Sequence, residues 1–548
     1  MYATTLFAPF LLLFSGGGLI HYDEGTLSAA DAAPWDRAGE ALALDGDLAL
    51  VGARWQDTTG PDSGAAYVHT RANYSWSQTA KLVGSDSLPA DEFGTSTALE
   101  GDTAVVGAPT ADLSGSNEGA VYVFVFSAGV WTEQAKLTAS DSADEDRFGS
   151  AVAIEGDLIL VGAKGDDDDG SYSGSAYVFT RTGSAWSERA KLLPGDGTEN
   201  RYFGSATAIS GDTLLVGAPG IGGGAYVFVG AGTVWNLQAK LTDASGSSLD
   251  RFATALDIEG DTAVVGSPFD DDNGSDSGSA IVFDRVGATW TQNVTLLAGE
   301  GLGELGTSVS IHGDRVAAGA PADYQFGSEP LGAAYVFLNE SGTWGQAAAI
   351  FPAGLTPYAR FGASIDCNGP SLVVGAPGSD DAAVNGGAAQ GYTLAPGIDA
   401  FCFGDSTGSG CPCGNTGSEG AGCANSTGQG GALAVTGSPS TGSDELIFST
   451  ADLPPGVPAL FFAGTTRVNG GLGAVFGDGL RCVGGTIRRG GVSIATGGSA
   501  QWGPGLASAL SWSPGDLRRA QAWYRDPTSG PCGSGFNLTN AIELTLIP

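Results

Sequence analysis

The sequence predicts an all-β protein: a seven-bladed β-propeller of four-stranded blades, the last blade closed by the N-terminal strand, followed by a small disulfide-stapled β-sandwich-like domain. Three observations predict it. A Val-Gly-Ala element or a close variant recurs with its glycine at Gly52, Gly107, Gly162, Gly217, Gly266, Gly319 and Gly375, in steps of 49 to 56 residues. A tryptophan follows six of these copies, at Trp76, Trp131, Trp186, Trp235, Trp290 and Trp344, and the seventh copy lacks it. Six of the seven cysteines lie beyond residue 400, where the repeat has stopped. A unit of this size cannot bury its own faces, so copies must stack and the ring must close.

Each strand can be read from the third copy. Apolar residues at 151–154 form the first strand. Gly156-Asp157 is a two-residue hairpin loop, with glycine supplying the positive φ that such turns need. The run 158–163 is almost unbroken in apolar character, which predicts a second strand buried on both faces. Residues 175–180, rich in aromatic and β-branched side chains, form the third. The Trp186 segment, ending in Lys191-Leu192, forms the fourth. The seventh copy stops after its third strand at 387–392, and the orphan segment 19–27 stands where a fourth strand belongs. That segment is therefore predicted to complete the last blade and remove its free edge.

Upstream of each Val-Gly-Ala lies Phe-Gly or a variant. Phe93-Gly94 precedes Gly107-Ala108-Pro109, Phe203-Gly204 precedes Gly217-Ala218-Pro219, and Phe361-Gly362 precedes Gly375-Ala376-Pro377. This pattern resembles the FG-GAP repeat of integrin α-chain propellers and of many bacterial surface proteins. The resemblance covers about residues 19–397 and implies the propeller fold. Fold does not by itself fix activity.

The turn between the second and third strands is the candidate for chemistry. The third copy places Asp166, Asp167, Asp168 and Asp169 in a row, and the fifth places Asp270, Asp271, Asp272 and Asp276 close together. Adjacent carboxylates repel unless a cation sits among them, and Ca²⁺ takes six to eight oxygens from such loops. The resemblance implies a calcium loop here. Asp166, Asp168, Asp169, Asp270, Asp272 and Asp276 are the expected ligands. The column of Asp167, which also holds Asp57, Asp112, Asp271 and Asp380, reads instead as a turn cap. The fourth copy, Gly220 to Gly223, has no carboxylate. A second acidic turn precedes each Phe-Gly, and its Asp-Arg pairs, such as Asp146-Arg147, read as contacts between blades.

Composition narrows the function. With 23 Lys and Arg against 60 Asp and Glu, the formal charge is −37, which repels nucleic acid and anionic lipid. Only His21, His69 and His312 are present, in unrelated contexts, and each reads as a surface strand residue. Residues 1–18 hold a short apolar run before small residues, which reads as a secretory signal peptide. No later stretch is apolar for long enough to span a bilayer. The propeller is assigned to 19–397 and the C-terminal domain to 398–548.

Cys402, Cys411, Cys413, Cys423, Cys482 and Cys532 are the disulfide candidates, with every pairing open. Cys367 reads as a buried free thiol. Strands are expected at 446–448, 459–462, 492–494 and 542–547. The stretches 411–426, 476–485 and 520–545 resemble a C-terminal module of secreted planctomycete-type bacterial proteins, which implies attachment, sorting or carbohydrate binding. The expected function is an exported, non-enzymatic adhesion or interaction scaffold at the cell surface or beyond it, with a protein or glycan partner. The alternatives are lectin-like binding by the C-terminal domain, with Trp502, Trp512 and Trp523 as stacking platforms, and an extracellular hydrolase built from carboxylates that meet across blades.

Overall fold

In a computed structural model, residues 19–546 are described, apart from 73–74, 197–198, 299–302, 325–328, 341, 353, 397–398, 403–409, 418–420, 437–438, 440, 442–443, 514–515 and 527–531. The leader assigned to 1–18 and Gly397, the last residue assigned to the propeller, lie outside the described residues. The chain divides into two compact units, His21–Leu394 and one that holds Ala395–Pro548.

Seven four-stranded antiparallel sheets make the first unit. Blade 3 is typical: Phe148–Glu155, Leu158–Ala163, Ser175–Thr182 and Ala185–Leu192. The second strand, predicted to be buried on both faces, is buried from Ile159 to Ala163. The hairpin glycines Gly46, Gly101, Gly156, Gly211, Gly260, Gly313 and Gly369 all have φ between 55 and 62°. The second loop residue stays at negative φ, which is why Pro370 can replace the usual aspartate there.

The seventh sheet is ordered Leu19–Leu27, Ala388–Pro396, Ser371–Ala376, Ile365–Asn368, so the N-terminal strand is its outer strand. It also occupies the repeat's register. Trp186 Nε1 donates to Gln134 at 3.0 Å and Trp290 Nε1 to Gln238 at 2.9 Å, each on the preceding blade's fourth strand. Trp76 Nε1 donates in the same way to Glu24 of the closing strand, at 3.0 Å.

The two glycine columns are what hold the blades in contact. A Cβ placed on Gly52, Gly107, Gly162, Gly266 or Gly319 would lie within 2.2 Å of the carbonyl oxygen of Gly94, Gly149, Gly204, Gly306 or Gly362 of the next blade. Gly375 meets Gly39 at 2.1 Å in the same way and closes the ring. Between blades, the Phe of Phe-Gly packs edge-on against a tyrosine of its own blade, as in Phe93–Tyr122 and Phe148–Tyr177. His69 departs from expectation. It is only 2% exposed and fills the column held elsewhere by Phe124, Phe179, Phe228, Phe283 and Phe337.

The second unit has a five-stranded and a three-stranded sheet. Leu433, Val435 and Phe448 of the smaller sheet share a core with Phe461, Tyr524 and Ile542 of the larger. Strands form at Ile447–Ala451, Pro458–Gly464, Arg488–Ile494 and Phe536–Thr545, near the expected runs; Ile547 is outside the described residues. A further strand, Leu517–Arg525, carries Arg518 and Arg519. Both arginines are paired, Arg518 with Asp516 and Arg519 with Glu543. Disulfides join Cys402 to Cys482 and Cys411 to Cys423, and Cys532 is also disulfide-bonded. The side chain of Cys413 is outside the described set. Cys367 is free and buried.

Candidate functional site: the acidic turns and the channel carboxylates

Because the strands of a blade alternate in direction, the turns joining strands two and three lie at the same end as the connections from strand four into the next blade. All the acidic turns therefore share one face of the propeller, here called the upper face. Four of the five members of the cap column behave as read, and the Asp167 side chain makes no such bond. Asp57, Asp112, Asp271 and Asp380 each accept the backbone N–H five residues on, at 2.7 to 2.9 Å. The residues so held, Asp62, Asn117, Asp276 and Asn385, have φ near 50°. The carboxylate thus steadies a left-handed turn residue.

A second feature of this face comes from the Lys-Leu ending. Lys81 pairs with Asp31, Lys136 with Asp86, Lys191 with Asp141 and Lys240 with Asp196, at 2.6 to 2.8 Å. In each case a tyrosine hydroxyl donates to the other oxygen of the same carboxylate: Tyr67, Tyr122, Tyr177 and Tyr226, at 2.7 to 2.9 Å. Burial alone would raise these aspartates, but the lysine and tyrosine hydrogen bonds hold them below the usual carboxylate range. The sequence carried a signal for the first three pairs, a constant separation of 50 residues.

In blade 3 this lysine enters the acidic turn. Lys191 Nζ is 2.8 Å from Asp166 and 2.5 Å from Asp168, as well as 2.8 Å from Asp141. Asp166 is buried and Asp168 exposed. Asp169 is exposed and takes no part. An ammonium thus occupies the centre of the carboxylates that were expected to ligate a metal, and these residues do not fit one.

Blade 2 solves the same problem without a cation. Glu118 accepts the N–H groups of Leu113, Ser114 and Gly115 at 2.7 to 2.8 Å.

Blade 5 has neither device. Ser245, Ile281 and Thr295 stand where blade 3 has Asp141, Tyr177 and Lys191. Asp270 is 2% exposed, accepting from Ser279 Oγ and the N–H of Asp272. Burial, then the charges of Asp272 and Asp243, push its carboxyl up. Asp276 is exposed, and only its backbone N–H enters the turn. Among the described residues, no three His, Cys, Asp or Glu side chains converge as a metal site.

The Asp-Arg turns do join blades, as expected: the Arg37 N–H donates to the Asn385 carbonyl of blade 7 at 3.3 Å and the Arg147 N–H to that of Asn117 in blade 2 at 3.0 Å, while their aspartates act locally. Asp36, Asp91, Asp146 and Asp250 each cap a backbone N–H three residues earlier. Arg37 lies over Trp55 and Arg251 over Phe269.

Carboxylates do meet at the axis. The innermost strands place Ala43, Ala98, Ala153, Ala208, Asp257, Ser310 and Asp366 in one column. Ser310 Oγ donates to Asp366 at 2.9 Å and lies within reach of Asp257. Asp366 also accepts the N–H of Leu44 in blade 1 at 2.8 Å, and Asp257 that of Ile311 in blade 6 at 2.9 Å. Burial raises Asp257 to about 6, and burial together with the Asp257 charge raises Asp366 to about 7. One oxygen of each accepts a backbone N–H of a neighbouring blade, so the pair acts as a joint between blades.

The FG-GAP repeat family profile matches seven times, at residues 22–69, 76–124, 131–179, 186–228, 235–283, 290–337 and 344–392. The chain belongs to the FG-GAP repeat family. Each matched FG-GAP segment runs from the outer strand of one sheet into the next, so the family unit is offset from the blade by one strand. The Gly of FG and the Gly of GAP are the two backbones that touch between blades. No curated protein matches the chain. Among the described residues no helix is long and apolar enough to cross a membrane.

Proposed function

We propose that this FG-GAP propeller is an exported, non-enzymatic adhesion or interaction scaffold whose upper face receives a protein or glycan. One observation carries the reading. Large apolar side chains stand exposed on that face, among them Trp35 and Tyr358, both 57% exposed, and Ile221 at 71%. Aromatic rings set among acidic turns suit a partner with both apolar and polar groups. The disulfides fit an oxidising compartment. The channel carboxylates are engaged with backbone groups, which favours a joint over a hydrolase. Trp502 and Trp512 are buried in the C-terminal core, which leaves the lectin reading of that domain with Trp523 alone. Glycan and extracellular-protein arrays probed with the full chain test the proposal. Trp35→Ala with Tyr358→Ala should abolish the captured signal, and binding unaffected by both changes would refute it.

Calcium belongs to this proposal at blade 5 alone. There the charges of Asp272 and Asp243 bear on buried Asp270, and no lysine enters the turn. A calcium-dependent rise in melting temperature, lost in Asp270→Asn with Asp272→Ala and kept in Asp168→Ala, is expected. No shift at millimolar calcium would remove the ion from the proposal.

A further inference from the structure

Four of the five lysines are each matched by an aspartate, as described above. The fifth, Lys164, makes no hydrogen bond or ion pair among the described residues, in a chain whose formal charge is −37. It stands half-buried at the end of the second strand of blade 3, in the column that holds proline in five blades and Arg54 in blade 1. Arg147 is beside it, because the next residue, Gly165, donates its N–H to the Asp146 carbonyl oxygen at 3.0 Å. Burial, then the charges of Arg147 and Arg54, depress its ammonium, and Glu92 offsets this in part. On its other side a Cβ on Gly204 of blade 4 would lie 2.9 Å from the Ala163 nitrogen, which brings the Tyr202 segment against the same strand end.

The local acids are already claimed. Glu40 pairs with Arg54 at 3.0 Å, Glu92 with Arg54 at 3.6 Å, and Glu145 with Arg147 at 3.1 Å. Arg147 nevertheless keeps a buried Nε without an acceptor. An ammonium and a guanidinium N–H lacking acceptors in one place describe a site for a carboxylate, where charge-assisted hydrogen bonds are strongest. The turn that follows Lys164 carries Tyr172, whose ring lies 5.9 Å from that of Tyr202; both are more than a third exposed. Such a pair offers a face to the C–H side of a sugar ring.

We propose that Lys164 and Arg147 receive the carboxylate of an acidic sugar, whose ring rests on Tyr172 and Tyr202. The inference rests on the upper face being the presenting face, but it uses different residues from Trp35 and Tyr358. Failure of one set of variants is therefore distinct from failure of the other.

Calorimetric titration of the full chain with D-glucuronate tests it, with D-glucose, sulfate and N-acetylglutamate as parallel arms. Saturable glucuronate binding is expected, weakened at least about tenfold by Lys164→Met and held within about threefold by Lys164→Arg. Glucose should not bind. In limited acetylation read by mass spectrometry, Lys164 should react before the four paired lysines, and glucuronate should protect it. Equal binding by Lys164→Met, or equal competition by sulfate or N-acetylglutamate, would overturn the assignment to an acidic sugar.

Discussion

Ala253 stands where the other six blades have the glycine of FG. Those glycines have φ between 87 and 95°, and Ala253 has shifted to 71°, toward the left-handed basin that a Cβ tolerates least badly. Ala253→Gly should therefore stabilise the protein by about 1 kcal/mol in urea denaturation, a change of sign from the usual cost of glycine in a sheet. Gly94→Ala should be severely destabilising, since its Cβ would meet the Ala65 carbonyl oxygen at 2.4 Å. His69 is the second exception to its column. Burial lowers its pKa below the ordinary value, so the unfolded chain takes up the proton first. Its contribution to stability is lost as pH falls from about 6.5 through the lower folded value. His69→Phe restores the column's aromatic residue, and its advantage over the parent should widen as pH falls below about 6.5. A constant advantage at all pH values would show that packing alone, and not protonation, separates the two.

At the scale of the turn, three blades answer one electrostatic problem differently: Glu118 folds onto backbone N–H groups, Lys191 enters among aspartates, and blade 5 leaves its aspartates unanswered. Thr295→Lys places an ammonium in blade 5 where blade 3 has one. It should raise stability in calcium-free buffer by about 1 kcal/mol and remove any calcium response. Lys191→Met should cost about 3 kcal/mol, because Asp166 is left buried without its partner. The frame of these turns was legible in the sequence. Strand Leu158–Ala163 announced itself by an unbroken apolar run, and the cap column of Asp57 and Asp112 by recurrence where neighbouring columns vary. Lys191 was not legible as a turn residue. It lies 23 residues beyond Asp168 and reaches the turn only when the fourth strand folds back along the third. The calcium expectation for blade 3 counted carboxylates in a row, and the counter-charge came from another strand.

Across the whole ring, meaning accrues only on closure. Asp257 and Asp366 lie in a column of alanines and look isolated along the chain, yet closure places them on either side of Ser310 and joins blades 5, 6, 7 and 1. Their folded pKa values are raised above about 3.9, the unfolded reference. The native state therefore holds protons that the unfolded chain releases, and this contribution is fully present below about pH 4 and lost as pH rises through about 7. Asp366→Asn keeps an acceptor for Leu44 and should gain on the parent over that window, in the opposite sense to His69→Phe. The closing strand makes the same dependence on closure testable from outside the channel. Glu24 is 7% exposed and accepts from Trp76, Arg71 and Thr393, so one carboxylate ties the N-terminal strand to blade 1 and to the rest of blade 7. Glu24→Ala strands the indole N–H of Trp76 and part of the Arg71 charge, at a cost of about 2–3 kcal/mol. Deletion of residues 1–27 goes further, because it bares the edge of Ala388–Pro396. The truncated chain should self-associate in analytical ultracentrifugation, and a synthetic peptide of residues 19–27 should return it to a monomer. A truncated chain that stays monomeric with an unchanged melting temperature would mean that the ring is held by its glycine contacts and channel joints without the strand that completes it.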